Sequence, residues 1–428
     1  MLRTVCCLGL FAGTAIAWAD EGRAPNKEVV SALVRELGNA DAGKREEAAR
    51  ELIKLGPSVL PLLPAEEEVS SEAQKKQLRA VRTALRDLQM QKELPPVAVT
   101  IKGPDFTIEK ALADLSKQTN IKVEDRRRAK AESPFALDIK GVTFWQALDA
   151  IARAAGAEVS LYQRDGVIAL VDGPNRKLPV SYHGPFRVVL QRKVLVEDLV
   201  ADSHQLVITL EVAWEPRFRP YFLETVAGTV AAKDDSGRET ASGEEGGKAG
   251  VEGKLAATVD LRLPAPVRSV HKLDSLRGEF LVTGAGEMLT FTFGTLAQLD
   301  KDPEARRQKQ KNVTVKLAKP VLGDDLWTVE VQLEYPAGGP KFESFQSWIG
   351  YNEMELRKAG GDQRFPNTGG YSVESSTSNR ATVRYHFIDK KQDKLFRGSP
   401  ADWRVVYKTP GVILEAPVPF EFKDVALP

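Results

Sequence analysis

Apolar residues along this chain change period several times, and each change marks a predicted element. In "NKEVVSALVREL", Val30, Leu33, Val34 and Leu37 fall at i, i+3, i+4 and i+7, one face of a helix. In "AGKREEAARELIKLG", Ala48, Leu52 and Leu55 carry that theme on, and Gly56-Pro57 supplies helix-stop chemistry. Leu78, Val81, Leu85 and Leu88 predict a third helix. From 97 to 172 the order strand, turn, helix, strand is written twice. "VAVTIKG" and "FALDIKG" alternate apolar and polar residues, as half-buried strands do. Positions 108, 111, 112 and 115, and then 144, 147, 148 and 151, form one helical stripe each, with Thr107 and Thr143 placed to act as N-caps. "AEVSLYQRDGVIALVDG" closes the segment with strands around an Asp165-Gly166 hairpin turn.

Beyond 180 the period is two. "FRVVLQRKVL", "HQLVITLEVAWEP", "KLAATVDLRLP" and "EMLTFTFG" alternate, with turn signals between them. The order recurs after 312, where "VTVKLAKPVLGDDLWTVEVQLEYP" parallels "RVVLQRKVLVEDLVADSHQLVITLEVAWEP". The expected fold is multidomain α+β and mostly β. A helical hairpin segment spans 27–92 and a compact, duplicated βαβ domain spans 97–172. Two related β-sandwiches follow at 180–300 and 312–428, joined by the polar linker "DKDPEARRQKQKN". One large two-sheet domain is the alternative for the last two.

Composition narrows the class. A chain of 428 residues, 42% hydrophobic and 28% charged, has enough apolar matter for several cores. A formal net charge of +1 argues against a nucleic-acid binder and against a disordered polyelectrolyte. Residues 1–19 read as a signal peptide: Arg3 precedes an apolar run, and Ala17-Trp18-Ala19 forms a small-residue cleavage site. Both cysteines, Cys6 and Cys7, would leave with it, so the exported protein would hold no disulfide, thiol nucleophile or cysteine metal site. The implied location is the bacterial periplasm or the extracellular space. No later stretch is long and apolar enough to cross a membrane.

Two resemblances follow from these segments. "VTIKGPDFTIEKALADLSKQTNIKV" and "LDIKGVTFWQALDAIARAAGAEVSLYQRDGVIALV" resemble the short N-terminal domain shared by secretins and TonB-dependent signalling receptors, called STN. That resemblance covers about a sixth of the chain and implies a compact periplasmic module that recognises another protein. Neither a barrel nor a secretin pore follows, so channel and receptor functions are not implied. "REEAARELIKLGPSVLPLL" resembles a HEAT-type helical repeat over about one repeat and a half, fewer than a solenoid needs.

Candidate chemistry is sparse. His183, His204, His271 and His386 show no metal-ligand spacing, and no G-x-S-x-G elbow precedes a helix. "TGAGEM" reads as a turn, "KDDSGRE" as hairpin chemistry, and "ASGEEGGKAGVEG" as a mobile loop tip. "DRRRAK" at 125–130 and "RRQKQK" at 306–311 read as solvated connectors. No catalytic residue, cofactor or metal site is expected. The surface candidates are aromatic: Trp214, Phe218, Tyr221 and Phe222 in "WEPRFRPYF", then Phe342, Phe345, Trp348 and Tyr351. They form either a binding face or plugs in the sandwich cores. Trp145, off its helix's apolar stripe, docks on a neighbouring domain or meets a partner. The expected function is non-catalytic: an exported envelope protein that binds or scaffolds envelope proteins. A cell-wall carbohydrate binder using the aromatic clusters is the alternative, and an extracytoplasmic hydrolase the weakest.

Overall fold

The structure, a computed structural model, describes residues 26–128, 134–164, 166–174, 176–200, 202–243, 246–324, 326–335, 348–377, 379–388 and 399–428, without the side chains at 198 and 348. The expected signal peptide, Asp165, Phe342, Phe345 and the Trp348 ring lie outside this description. The chain divides into two compact units between Arg82 and Thr83.

In the first unit, α1 (Lys27–Glu36) packs against α2 (Ala42–Lys54), and Gln74 in the first turn of α3 (Glu72–Glu93) donates to the Val34 carbonyl of α1 at 2.8 Å. Asn26 and Asp41 cap α1 and α2 by accepting first-turn amide hydrogens. The apolar stripes bury Val30, Leu37, Leu52, Leu78 and Val81 completely.

The second unit begins within α3 and continues through two strand–helix–strand units. These are β1 (Val99–Phe106), α4 (Ile108–Thr119) and β2 (Val123–Asp125), then β3 (Phe135–Val142), α5 (Phe144–Ala154) and β4 (Glu158–Ser160). A further strand, β5 (Ile168–Val171), lies between β2 and β4. β1 and β3 pair antiparallel, so that the two Ile-Lys-Gly stretches face each other with Ile101 opposite Ile139. Thr107 accepts the Lys110 amide hydrogen at 3.3 Å, while Thr143 and Gln146 form a capping box. Asn120 and Gly156 end the two helices at φ 57° and 64°, conformations that Asn and Gly tolerate best. One core joins both helices and all five strands, and it includes Ala213 and Ala256 from beyond residue 172.

The rest is β. A four-stranded sheet in the order β13-β8-β7-β6 contains β6 (Val180–His183), β7 (Phe186–Asp198) and β8 (Ser203–Trp214). The intervening β9 (Arg219–Thr225), β10 (Ala231–Asp234), β11 (Glu239–Ala241) and β12 (Lys248–Gly250) belong to a second sheet, before the chain returns as β13 (Ala256–Pro264). Then comes β14 (Lys272–Thr295), a strand of 24 residues. After α6 (Leu296–Lys301), a third sheet collects β15 (Arg307–Gln310), β16 (Val313–Leu317), β17 (Val321–Leu322) and β18 (Leu326–Glu334). β19 (Glu353–Lys358) and β20 (Arg364–Pro366) return to the second sheet, while β21 (Tyr371–Ser376) and β22 (Arg380–Ile388) complete the third. The last strand, β23 (Trp403–Ala426), pairs along β14 from Lys272↔Ala426 to Thr295↔Arg404.

That pairing corrects the expected domain boundary. Leu276, Phe280 and Val282 of β14 face Val418, Phe420 and Phe422 of β23 in one core, which the four-stranded sheet covers. Phe291 and Phe293 of β14 join Val405 and Tyr407 of β23 in another, which the third sheet covers. The two sandwiches share a layer, and no cut between 300 and 312 parts them. The expected linker is itself built in: α6, a 3-10 turn at Glu304–Arg306 and β15 occupy it, with Arg306 donating to the Leu299 and Asp300 carbonyls. "TGAGEM" is not a turn but the middle of β14, with ladder irregularities between Ala285 and Met288. A Cβ at Gly284 would lie 2.5 Å from the Arg219 carbonyl oxygen, so glycine there serves close backbone approach. Part of the expected mobile loop is also ordered, with β12 pairing β9 over Lys248–Gly250.

Candidate functional site

The aromatic side chains proposed as a surface are buried at Trp214, Phe218, Tyr221 and Phe222, and Tyr351 is partly exposed. Trp214, Phe218, Tyr221 and Phe222 are 1%, 2%, 3% and 8% exposed. The Trp214 indole N–H donates to the Lys254 carbonyl at 2.8 Å, and Phe218 meets Phe186 edge-on. Tyr221 stacks on the partly exposed Tyr351 at 5.0 Å and 11°, and Lys248 sits 4.5 Å above the Phe222 ring. Alternation along a strand puts every second large residue inward, and at these cores inward is where the rings go. A face already stacked within the protein is not open to a sugar.

Beside these rings lie two carboxylates with opposed tendencies. Burial pushes Glu353 up, but hydrogen bonds from Lys408 and Arg219 outweigh it and leave the carboxyl below its usual range. Glu252 is raised by desolvation and then by the charge of Glu353. Such divergence suits acid–base pairs. Here Glu353 is committed to two cations and Glu252 is exposed, which makes a surface charge pair rather than a proton shuttle.

Trp145 and Asp149 stand one turn apart on α5, and both reach the four-stranded sheet. Trp145 is fully buried, and its N–H donates to the Pro185 carbonyl in the β6–β7 turn at 2.9 Å. Arg187 of β7 donates Nε and Nη2 to Asp149 at 2.8 and 3.0 Å, and Nη1 to Glu211 at 3.4 Å. Tyr182 donates its hydroxyl to Asp149 at 2.6 Å, and Gln191 its amide to Glu211 at 2.9 Å. The charged side chains are 11%, 10% and 8% exposed for Arg187, Asp149 and Glu211. Burial, then the Asp149 charge, pushes the Tyr182 phenol well above its usual range, so it stays a donor. Each carboxylate is taken up by neighbours in this closed network, which fastens α5 to the sheet. Sequence inspection missed it, although a tryptophan and an aspartate at i, i+4 on one helix face were a signal.

The opposite end of the same sheet is open. An extra residue in β7 between Leu190 and Arg192 shifts its register against β8, reversing which side chains face the core. Beyond it Lys193 and Leu195 stand opposite the core residues Ile208 and Leu206, while Val194 and Val196 turn outward. β6 pairs β7 only from Phe186 to Val189, so from Arg192 to Asp198 β7 pairs β8 on one side and, among the described residues, no strand on the other. Val194, Leu195 and Val196 are 36%, 48% and 41% exposed, and Leu199 and Val200 at the hairpin turn are 84% and 99% exposed. An exposed apolar edge of this kind is the type of surface to which a further strand can add.

Among the described residues no three His, Cys, Asp or Glu side chains stand together as a metal site would require, and no helix is long and apolar enough to cross a membrane. The chain matches no family profile and no curated protein.

Proposed function

We propose that this chain is an exported bacterial envelope protein that binds other proteins and catalyses no reaction. The observation that carries the reading is the outer edge of β7, where Val194, Leu195 and Val196 are exposed and, among the described residues, no strand pairs on that side. Strand addition at such an edge takes affinity from main-chain hydrogen bonds and specificity from alternate side chains. Several observations support a scaffold behind it. The network of Arg187 with Asp149 and Glu211 stiffens the joint between α5 and the sheet. The order β1-α4-β2, β3-α5-β4 is also what an STN-like module, duplicated and facing itself, would give. The signal-like residues 1–19 support an envelope location, and the HEAT-like segment precedes the STN-like one in the chain.

A photo-reactive residue at position 199 tests the reading in intact envelopes. It should give one discrete adduct with a protein, lost when Leu195→Pro removes an outward-facing N–H and blocks the edge. Diffuse labelling, or labelling unchanged by that substitution, would refute strand addition. The carbohydrate alternative is less supported, because Tyr221 and Tyr351 spend a ring face on each other.

A further inference from the structure

The free edge of β7 carries its own complement. From 192 to 198 it reads Arg-Lys-Val-Leu-Val-Glu-Asp: two cations, three apolar residues, two anions. Antiparallel pairing reverses one copy, so such a string meets its own opposite charges. We propose that this edge pairs with the same edge of a second copy, giving a twofold dimer centred on Leu195. The inference rests on the binding reading above and names its partner.

Symmetry fixes the register. Antiparallel ladders alternate hydrogen-bonded and non-hydrogen-bonded pairs, and a twofold axis must map each pair onto one of the same kind. The axis therefore passes through a residue facing itself. If that residue is Val194, Lys193 faces Leu195; if it is Val196, Leu195 faces Glu197. Both put charges against apolar side chains. Centring on Leu195 sets Lys193 opposite Glu197, position 192 opposite 198 (arginine against aspartate), and Val194 opposite Val196. Opposite-charge and β-branched cross-strand pairs both stabilise a ladder. Seven facing residues supply about six to eight inter-strand hydrogen bonds.

The neighbourhood is compatible with this arrangement. In the same register Leu199 and Val200 of the second copy reach the level of Leu190, whose amide hydrogen is held by the Pro179 carbonyl. Leu178, 40% exposed, stands there to meet them. A lysine on the core side of an edge strand ordinarily deters pairing. Lys193 donates one hydrogen to the Ala426 carbonyl, which leaves two for Glu197 of the second copy. Glu197 is 63% exposed and lies 4.0 Å from His204, so it can turn to the new partner without leaving a buried cation unpaired. The acidic Glu197 and Asp202 flanking the apolar turn disfavour an anionic lipid surface as the alternative occupant.

Sedimentation of the full chain over a range of concentrations tests the proposal. The wild type should show a monomer–dimer equilibrium. Lys193→Glu and Glu197→Lys should each weaken it at least tenfold by opposing like charges twice across the axis. Mixing the two variants should restore a dimer, as should Lys193→Glu/Glu197→Lys in one chain, and that double variant also reports whether the substitutions permit folding. A wild type that stays monomeric, or a dimer indifferent to both reversals, overturns the proposal. If the chain is monomeric while position 199 still gives an adduct with a different protein, the binding reading stands without this inference; if neither occurs, both fall.

Discussion

Removing Arg187 probes the joint between α5 and the sheet. Arg187→Met keeps most of the side chain's length and deletes its charge. Asp149 and Glu211 would then remain as buried anions, deprived of three donated hydrogens. With all three side chains no more than 11% exposed, little of the interaction is relieved by solvent. Breaking a buried pair on one side costs about 3–5 kcal/mol, and with two carboxylates stranded the upper part of that range is expected. Urea unfolding followed by tryptophan emission measures it, because Trp145 lies at the same joint. The midpoint should fall with the slope unchanged. In an Asp149→Asn background the same substitution should cost less, by about 0.5–3 kcal/mol, since its main partner is already neutral. A loss below about 1 kcal/mol would mean that the network behaves like an exposed pair. Strict additivity of the two substitutions would mean that Arg187 and Asp149 do not act together. Either result defeats the reasoning.

Three further outcomes follow from local geometry. Glu215 is 4% exposed and its carboxyl is raised, chiefly by desolvation against the opposing pull of Arg217. Its folded state thus favours the proton, a contribution present in full below the unfolded value and lost as pH rises through the folded one. Glu215→Gln should therefore gain stability relative to wild type as pH rises above the ordinary glutamate value of about 4.3, followed in thermal melts, and the opposite slope would contradict the assignment. Gly284→Ala should cost about 1–3 kcal/mol by overpacking, because its Cβ would lie 2.5 Å from the Arg219 oxygen and 2.7 Å from Phe218. A neutral result in urea titration would show that β14 can yield there. Thr143→Ala should cost about 1 kcal/mol by emptying the α5 capping box, and Thr143→Ser should retain most of it when both are melted together.

Local elements were legible because their signals are local. Ile108, Ala111, Leu112 and Leu115 declared α4 through spacing alone, and Phe144, Ala147, Leu148 and Ile151 declared α5. The strands after 180 were legible from alternation, but their partners were not. β14 and β23 pair across more than a hundred intervening residues, and nothing at either strand states which core each half will enter. The glycines at 284 and 286 looked like a turn because a glycine needed for close approach carries the same letter as one needed for positive φ. Trp214, Phe218, Tyr221 and Phe222 were visible as a group of rings, yet a ring's type does not say which way it faces. Arg187 escaped notice because its partners lie on α5 and β8, and only folding brings them together. The edge motif at 192–198 was readable in full, but its meaning depends on β6 stopping at Val189.

The shared strand β23 has a consequence for the order in which the protein can be made. Residues 403–426 are synthesised after every other strand, yet they line both β interiors. Until they emerge, β14 offers a long apolar ribbon with one side unclaimed, and neither interior can seal. A ribosome-bound chain lacking this stretch should remain protease-sensitive along both sandwiches at once, so the two mature as a single late event rather than in succession.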